Sequence, residues 1–125
     1  MGSIRQSIKV DGTECWTLFD TGARNTYVVP AVARVLSSLV KSPTVRTALD
    51  GAIRETNTAA VLNAEVDGHP ITTHALVLED IGKDEDGRPI EILFGALAMQ
   101  QWGIRPVLDE ERLDMSHYPQ EFVEF

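Results

Sequence analysis

The most informative segment of the 125-residue sequence reads Leu18-Phe19-Asp20-Thr21-Gly22-Ala23. In it an apolar run ends in an acid, a hydroxyl residue, a glycine and a small residue. Gly22 lets the backbone turn sharply and lets a second segment approach closely, and the Thr21 hydroxyl can hold the loop by hydrogen bonds. Asp20 is therefore expected on a rigid loop at the edge of a core, where its pKa can be tuned. An ordinary Asx turn at a strand end also explains the same spacing.

The residues around this segment predict a mostly β domain. Ile4, Ile8 and Val10 alternate with polar residues, which indicates a half-buried strand, and the apolar run 15–19 suits a buried one. Residues 58–66 and 71–78 predict a second hairpin. Asp-Gly pairs, which favour type I′ hairpin turns, punctuate the chain. They are Asp11-Gly12, Asp50-Gly51, Asp67-Gly68 and Asp86-Gly87.

Two short helices and a charged loop are predicted between the strands. Pro30 suits a first helical position, and apolar residues follow it at helical spacing as far as Leu39. A second helix is expected just after Gly95, extending to Gln101 or Trp102. The acidic loop 82–89 lacks calcium-loop spacing, so a solvated surface is the preferred interpretation.

Size and charge narrow the possible functions. Residues 1–125 predict a single domain, and 43% apolar residues suffice for one core. The formal net charge of −8 argues against nucleic acid and against an anionic membrane surface as partners. The most apolar stretch, residues 27–36, is broken by Pro30 and Arg34 and is too short to span a bilayer. Cys15 is the single cysteine and is expected to be buried. No disulfide can form within the chain, which fits a reducing, cytoplasmic location.

The segment Asp20-Thr21-Gly22-Ala23 resembles the signature of retropepsins, the single-domain aspartic proteases of retroviruses and their cellular and bacterial relatives. Thr26 matches a hydroxyl residue that follows this signature. Ile92-Leu93-Phe94-Gly95 resembles the family's second glycine motif, and residues 44–59 fall where its flap hairpin lies, with Asp50 and Gly51 at the tip. The resemblance implies a closed β-barrel, the acid protease fold, with a flap and one or two short helices.

The resemblance also implies a mechanism and an assembly. Aspartic proteolysis uses two carboxylates that share a proton, and this chain carries one Asp-Thr-Gly. A homodimer is therefore expected, in which two Asp20 side chains activate a water molecule against a peptide or protein substrate. The two Thr21 side chains would grip each other at the axis, while Gly22, Ala23 and the second glycine motif support the loop. No metal or other cofactor is implied.

Two departures from the family keep other functions open. Retroviral members commonly carry an acid where Arg24 stands and an arginine where Ala96 stands, and these two groups form an ion pair that is missing here. The flap has Gly51 as its one glycine. An alternative is therefore a catalytically inactive dimerisation or peptide-binding module of the same fold. A third hypothesis is a small β-barrel binding module in which Asp-Thr-Gly occurs by chance.

The remaining candidate residues have structural interpretations. The three histidines, at 69, 74 and 117, are too scattered for a recognisable zinc pattern. Trp16 and Trp102 are interpreted as core or interface aromatics, and Ser37-Ser38 as a solvated helix face. The alternation in residues 121–125 predicts a terminal strand that adds to a dimer sheet, with a frayed end as the other interpretation.

Overall fold

Nine strands, two short α-helices and one 3₁₀ turn make up the part of the chain that the computed structural model describes, residues 3–36, 39–49 and 51–119. In chain order they are β1 (Ser3–Val10), β2 (Thr13–Asp20), β3 (Tyr27–Val28), α1 (Pro30–Ala33), β4 (Leu39–Leu49), β5 (Ala52–Val66), β6 (His69–Val77), β7 (Ile92–Phe94), α2 (Ala96–Trp102), β8 (Arg105–Val107), the 3₁₀ turn (Leu108–Glu110) and β9 (Arg112–Asp114). The predictions for Ser37-Ser38, Asp50 and the 121–125 strand lie outside the described residues.

Six of the strands form a closed ring. Their order is β1-β2-β7-β3-β6-β5, and β5 returns to β1 through the pair Lys9 and Glu65. β4 pairs with β5 and extends from the ring. The mostly β architecture expected from the sequence is therefore confirmed. The ring also places β7 between β2 and β3, parallel to β2 and antiparallel to β3.

Two of the Asp-Gly pairs form the expected type I′ turns. Asp11 and Asp67 both have φ of 50°, and the glycine after each has φ of 77° and 79° respectively. These turns fix the registers of the β1–β2 and β5–β6 hairpins. Asp86 does not share the positive φ of Gly87. This pair lies in a loop held by the Asp84 side chain, so it makes no type I′ hairpin.

The main core lies inside the ring and contains residues from each of its six strands. Phe19 of β2 and Phe94 of β7 are completely buried, with their ring centroids 4.9 Å apart. Their strands are in register at this point, so the two rings meet directly. Truncation of either ring to alanine typically costs about 3–5 kcal/mol of stability. The residues immediately before Asp20 and Gly95 are thus the best anchored in the domain.

The first helix is shorter than its apolar spacing predicts. It begins at Pro30 but ends at Ala33, and Leu39 belongs to β4 instead, where it pairs with Ala60. Val35 and Leu39 are 49% and 57% exposed. Leu39 takes its backbone partner from β5 and not from a helical turn, so the tertiary pairing overrides the local spacing.

The second helix matches its prediction. It begins after Gly95, ends at Trp102, and is closed by Gly103 in the left-handed conformation, with φ of 66°. Ala98 and Met99 face the core. Among the described residues, no helix has both the length and the apolar character needed to cross a bilayer.

Candidate active site

The Asp20 loop begins where β2 ends and is closed by its own hydrogen bonds. The Gly22 amide donates to Asp20 Oδ1 at 2.8 Å, and the Ala23 amide donates to the Asp20 carbonyl at 3.2 Å. Asp20 is partly exposed. The Asx turn considered from sequence is therefore present, and it orients the carboxylate. A Cβ on Gly22 would lie 3.2 Å from the same carboxylate oxygen, so a glycine leaves this bond undisturbed.

The second glycine motif lies directly against this loop. A Cβ on Gly95 would overlap the carbonyl oxygen of Asn25 and lie 2.6 Å from its carbonyl carbon. The Gly95 amide donates to the buried hydroxyl of Thr26 at 3.1 Å. Only a residue without a side chain allows this approach. The φ of Gly95 is −95°, which any residue can adopt. Gly95 is thus required by close contact and not by backbone conformation.

The start of α2 supports the same loop. The amides of Ala96 and Leu97 donate to the carbonyls of Ala23 and Arg24, at 2.7 and 3.1 Å. Amides in the first turn of a helix have no partner within the helix, so these bonds satisfy the two helix amides and the two loop carbonyls. The loop after Asp20 is therefore fixed at its own turn, at Thr26 and at the helix start. This is the rigidity that a positioned catalytic carboxylate needs.

A second apolar cluster forms a wall beside the loop. We call it the cleft cluster, and it is made of Tyr27, Leu78, Ile81, Ile90 and Leu93. Leu18 and Ala23, which flank Asp20 in sequence, are half-buried against it. Leu49 of β4 packs on the same cluster. The cluster therefore connects the Asp20 loop with the hairpin expected to be the flap.

The flap hairpin is present but longer than residues 44–59. β4 and β5 pair from Leu39 and Ala60 up to Leu49 and Ala52, with an irregularity between Lys41 and Val45. At the turn, Gly51 has φ of 76° and is exposed. Asp50, the other expected tip residue, is not among the described residues. Ile53 beside the turn is 79% exposed, the highest value among the large exposed apolar residues of the described part.

Thr21 lies on the exposed side of the loop. It borders a cavity of about 400 Å³ together with residues of α2 and β8, including Gln100, Arg105 and Pro106. This surface is where a symmetry-related subunit would meet the loop if Thr21 lies at a two-fold axis. Leu97, 49% exposed, is a further apolar residue at the start of α2.

A polar cluster around Asp84 was not predicted from the sequence. The Asp84 side chain is only 2% exposed and accepts a hydrogen bond from Trp16 Nε1 at 2.8 Å. Arg88 stacks over the Trp16 ring at 3.9 Å, and Arg5 lies 3.4 Å from Asp84. Burial raises the pKa of Asp84, but hydrogen bonds from the Arg88 amide, Trp16 and the Asp86 amide outweigh it, and the net pKa is lowered. The loop 82–89 is thus organised around a buried acid.

The other candidate residues are accounted for by burial, ring packing or hydrogen bonds. Cys15 is 4% exposed, and burial, followed by the nearby Glu91 and Glu14 carboxylates, raises its pKa to about 11. The His69 ring packs against Tyr118 at a tilt of 52°, with centroids 4.6 Å apart. Trp102 donates to the Thr72 carbonyl. Within residues 3–36, 39–49 and 51–119, no three metal-ligating side chains converge.

Comparison with known proteins gives structural similarity without sequence similarity. No family model and no curated protein matches the sequence. The protease of EIAV, solved with the inhibitor HBY-793, superposes with a TM-score of 0.59 at 22% identity, covering 83% of this chain and 91% of that one. The retroviral protease-like domain of Ddi1 from Leishmania major gives 0.60 at 10% identity, covering 93% and 90%.

A third similar structure is the foamy viral protease-reverse transcriptase in complex with an RNA/DNA hybrid, with a TM-score of 0.60 at 13% identity. It aligns with 84% of this chain, which spans only 12% of that much longer protein. All three similarities concern the fold. Together with the ring of strands and the contact between the Asp20 loop and Gly95, they show that this chain has the fold of the retropepsin-like proteases.

Proposed function

We propose that this protein is an aspartic endopeptidase that acts as a homodimer. The observation that carries the proposal is the clamped loop, in which a partly exposed carboxylate is oriented by Gly22 and fixed against Gly95 and α2. The second glycine motif ends in Gly95 and brings no acid of its own. One chain therefore supplies one carboxylate, and a two-fold dimer supplies the pair that the chemistry requires.

The proposed reaction is hydrolysis of a peptide bond. Two Asp20 carboxylates within hydrogen-bond reach hold one proton between them, because two adjacent negative charges repel. The ionised one takes a proton from water, whose oxygen attacks the peptide carbonyl carbon, while the protonated one donates to the carbonyl oxygen. As the tetrahedral diol collapses, the C–N bond breaks, the leaving nitrogen takes the proton of the protonated carboxyl, and one diol hydroxyl returns its proton to the ionised carboxylate, so the pair again shares one proton. Acid and amine products are released.

The residues around Asp20 have supporting roles in this proposal. Thr21 would grip its counterpart at the axis, and Ala23 and Leu18 would line the floor of the cleft against the cleft cluster. Leu49, next to the turn of the hairpin, packs on that cluster, so the tip of the flap already contacts the apolar wall beside the Asp20 loop. The flap would close over a bound peptide and exclude water from it. No metal or other cofactor takes part.

A second candidate is a catalytically inactive, peptide-binding module of the same fold. It is favoured by Arg24, which is exposed and stands where an ion-paired acid is common, and by Ala96, which has no charge to pair with it. Both functions use the same cleft and flap. They differ only in whether bound peptide is cleaved.

The deciding experiment is cleavage of a peptide library by the purified protein at several pH values. Asp20→Asn is the matched control, because the amide is nearly isosteric and relieves repulsion between the two loops. We expect cleavage with a bell-shaped pH dependence, since low pH protonates both carboxylates and high pH ionises both. Cleavage that is equal in Asp20→Asn would exclude Asp20 as the catalytic group. Specific peptide binding without cleavage would establish the module.

A further inference from the structure

The two faces of the flap hairpin differ in exposure. Residues directly opposite each other in an antiparallel pair share a face, as do residues two apart in one strand. Thr47 pairs with Arg54, and Leu49 lies two residues after Thr47, so Arg54 and Leu49 are on the same face. This face is half-buried and contacts the cleft cluster through Leu49. Arg54 is therefore on the cleft side of the flap.

The opposite face carries a matched pair of charges. Arg46 and Glu55 are directly opposite each other, and their side chains form an exposed ion pair at 3.6 Å. The charge of Arg46 is thus compensated within the hairpin. It provides an internal comparison for Arg54, because both arginines belong to the same two strands.

Arg54 is compensated less closely, by one long ion pair. Its Nε is buried without a hydrogen-bond partner among the described residues. Its Nη2 lies 4.0 Å from Asp80 Oδ2, at the outer limit for an ion pair, while the other Asp80 oxygen accepts the Gly82 amide at 2.8 Å. The Arg54 side chain remains 27% exposed. A buried guanidinium nitrogen without an acceptor is costly, so this group gains from a further carboxylate.

The distribution of charge along the chain agrees with this local observation. Residues 21–60, which contain the loop after Asp20 and the flap, carry five cationic and two acidic side chains, a net charge of +3. The rest of the chain carries six cationic and 17 acidic side chains, a net charge of −11. This segment is thus cationic within an otherwise acidic chain, and its charge would attract anionic peptides.

We propose that Arg54 is a specificity-determining residue that selects peptides with an acidic side chain bound under the flap. The inference rests on the proposed function, because it assigns the substrate class of that same cleft. The planar guanidinium can donate two parallel hydrogen bonds to a carboxylate, and the exposed part of the Arg54 side chain is accessible to such a group. An amide in the same position offers one acceptor and no charge.

The test uses pairs of peptides that differ only by Glu or Gln at one position, scanned through the positions flanking the cleaved bond. The wild-type protein is expected to favour the Glu peptide in kcat/KM by about tenfold at one position, the lower end for a charge-assisted bond. Peptides with an amidated C-terminus exclude recognition of the terminal carboxylate. Equal kcat/KM for Glu and Gln at every position would overturn the proposal.

Variants separate recognition from a purely structural role. Arg54→Gln should abolish the Glu preference, and Arg54→Glu should reverse it toward a matching Lys peptide. Arg46→Gln is the control and should keep the preference. Asp80→Asn removes the competing carboxylate and should strengthen it. If Arg54 only anchored the Asp80 loop, Asp80→Asn and Arg54→Gln would change the preference in the same direction, which would overturn the proposal.

Failure of the proposed function is distinguishable from failure of this inference. If the wild type cleaves no peptide, the same Glu and Gln pairs, labelled with fluorescein, are titrated with wild type and Arg54→Gln and followed by anisotropy. Tighter binding of a Glu peptide that is lost in Arg54→Gln supports the inference without catalysis. Equal binding of all pairs overturns it.

Discussion

Substitution of Gly95 by alanine is the sharpest test of how the Asp20 loop is built. The new Cβ would overlap the Asn25 carbonyl oxygen and lie 2.9 Å from the Arg24 carbonyl oxygen. Both atoms are backbone, and the Arg24 carbonyl already accepts a hydrogen bond from Leu97. No flexible side chain can therefore move aside to admit the methyl group. The loop or β7 has to shift.

Overpacking of this kind costs on the order of 3 kcal/mol. For 125 residues, the typical unfolding entropy of about 2.1 cal/mol/K per residue converts this into a fall in melting temperature of about 11 °C. The assay is thermal unfolding at fixed protein concentration, with urea unfolding as a second measure. Because the shift is transmitted to the loop that holds Asp20, peptide cleavage well below the melting temperature should also fall.

Gly12→Ala is the matched control. Gly12 has φ of 77° and no atom within 4 Å of a built Cβ, so only backbone strain opposes alanine there. Its expected cost is about 1 kcal/mol. Cleavage should be unchanged, because the β1–β2 turn lies at the opposite end of β2 from Asp20. A Gly95→Ala protein as stable as Gly12→Ala would refute the close-contact argument.

Three further predictions address other parts of the molecule. Cys15, buried and with a pKa of about 11, should react with iodoacetamide at pH 8 only after unfolding; rapid labelling of the folded protein would contradict its burial. Because the pKa of Asp84 is lower in the folded protein, its ionised carboxylate stabilises the fold. This stabilisation is complete above the pKa of the unfolded chain, about 4, and is lost as pH falls through the pKa of the folded protein. Urea unfolding at pH 6 and pH 3 should therefore show a smaller acid-induced loss in Asp84→Asn than in the wild type, and an identical loss would count against the Asp84 cluster. In residues 44–59, hydrogen exchange should be fast without ligand and slower with a peptide-like inhibitor, whereas equal protection in both states would argue against a flap.

Local signals in the sequence were sufficient for most of the strands and for the Asp20 loop. The turns at Asp11-Gly12 and Asp67-Gly68 depend on residues that tolerate positive φ, and alternation sets which face of a strand is buried. The helix was predicted to begin just after Gly95 and to extend to Gln101 or Trp102, and it does. The paired motifs ending in Asp20 and Gly95 were recognisable because each is a short, contiguous run.

Only the tertiary structure decided how distant segments meet. Gly95 contacts Asn25, 70 positions earlier, and Asp84 is buried by Trp16 and Arg5 from the other end of the chain. The early end of α1 at Ala33 and the placement of Arg54 on the cleft face follow from the pairing of β4 with β5. Hydrophobic periodicity reports which face of an element is buried but not which element covers it. Contacts of that kind depend on close packing between elements, which no local pattern encodes.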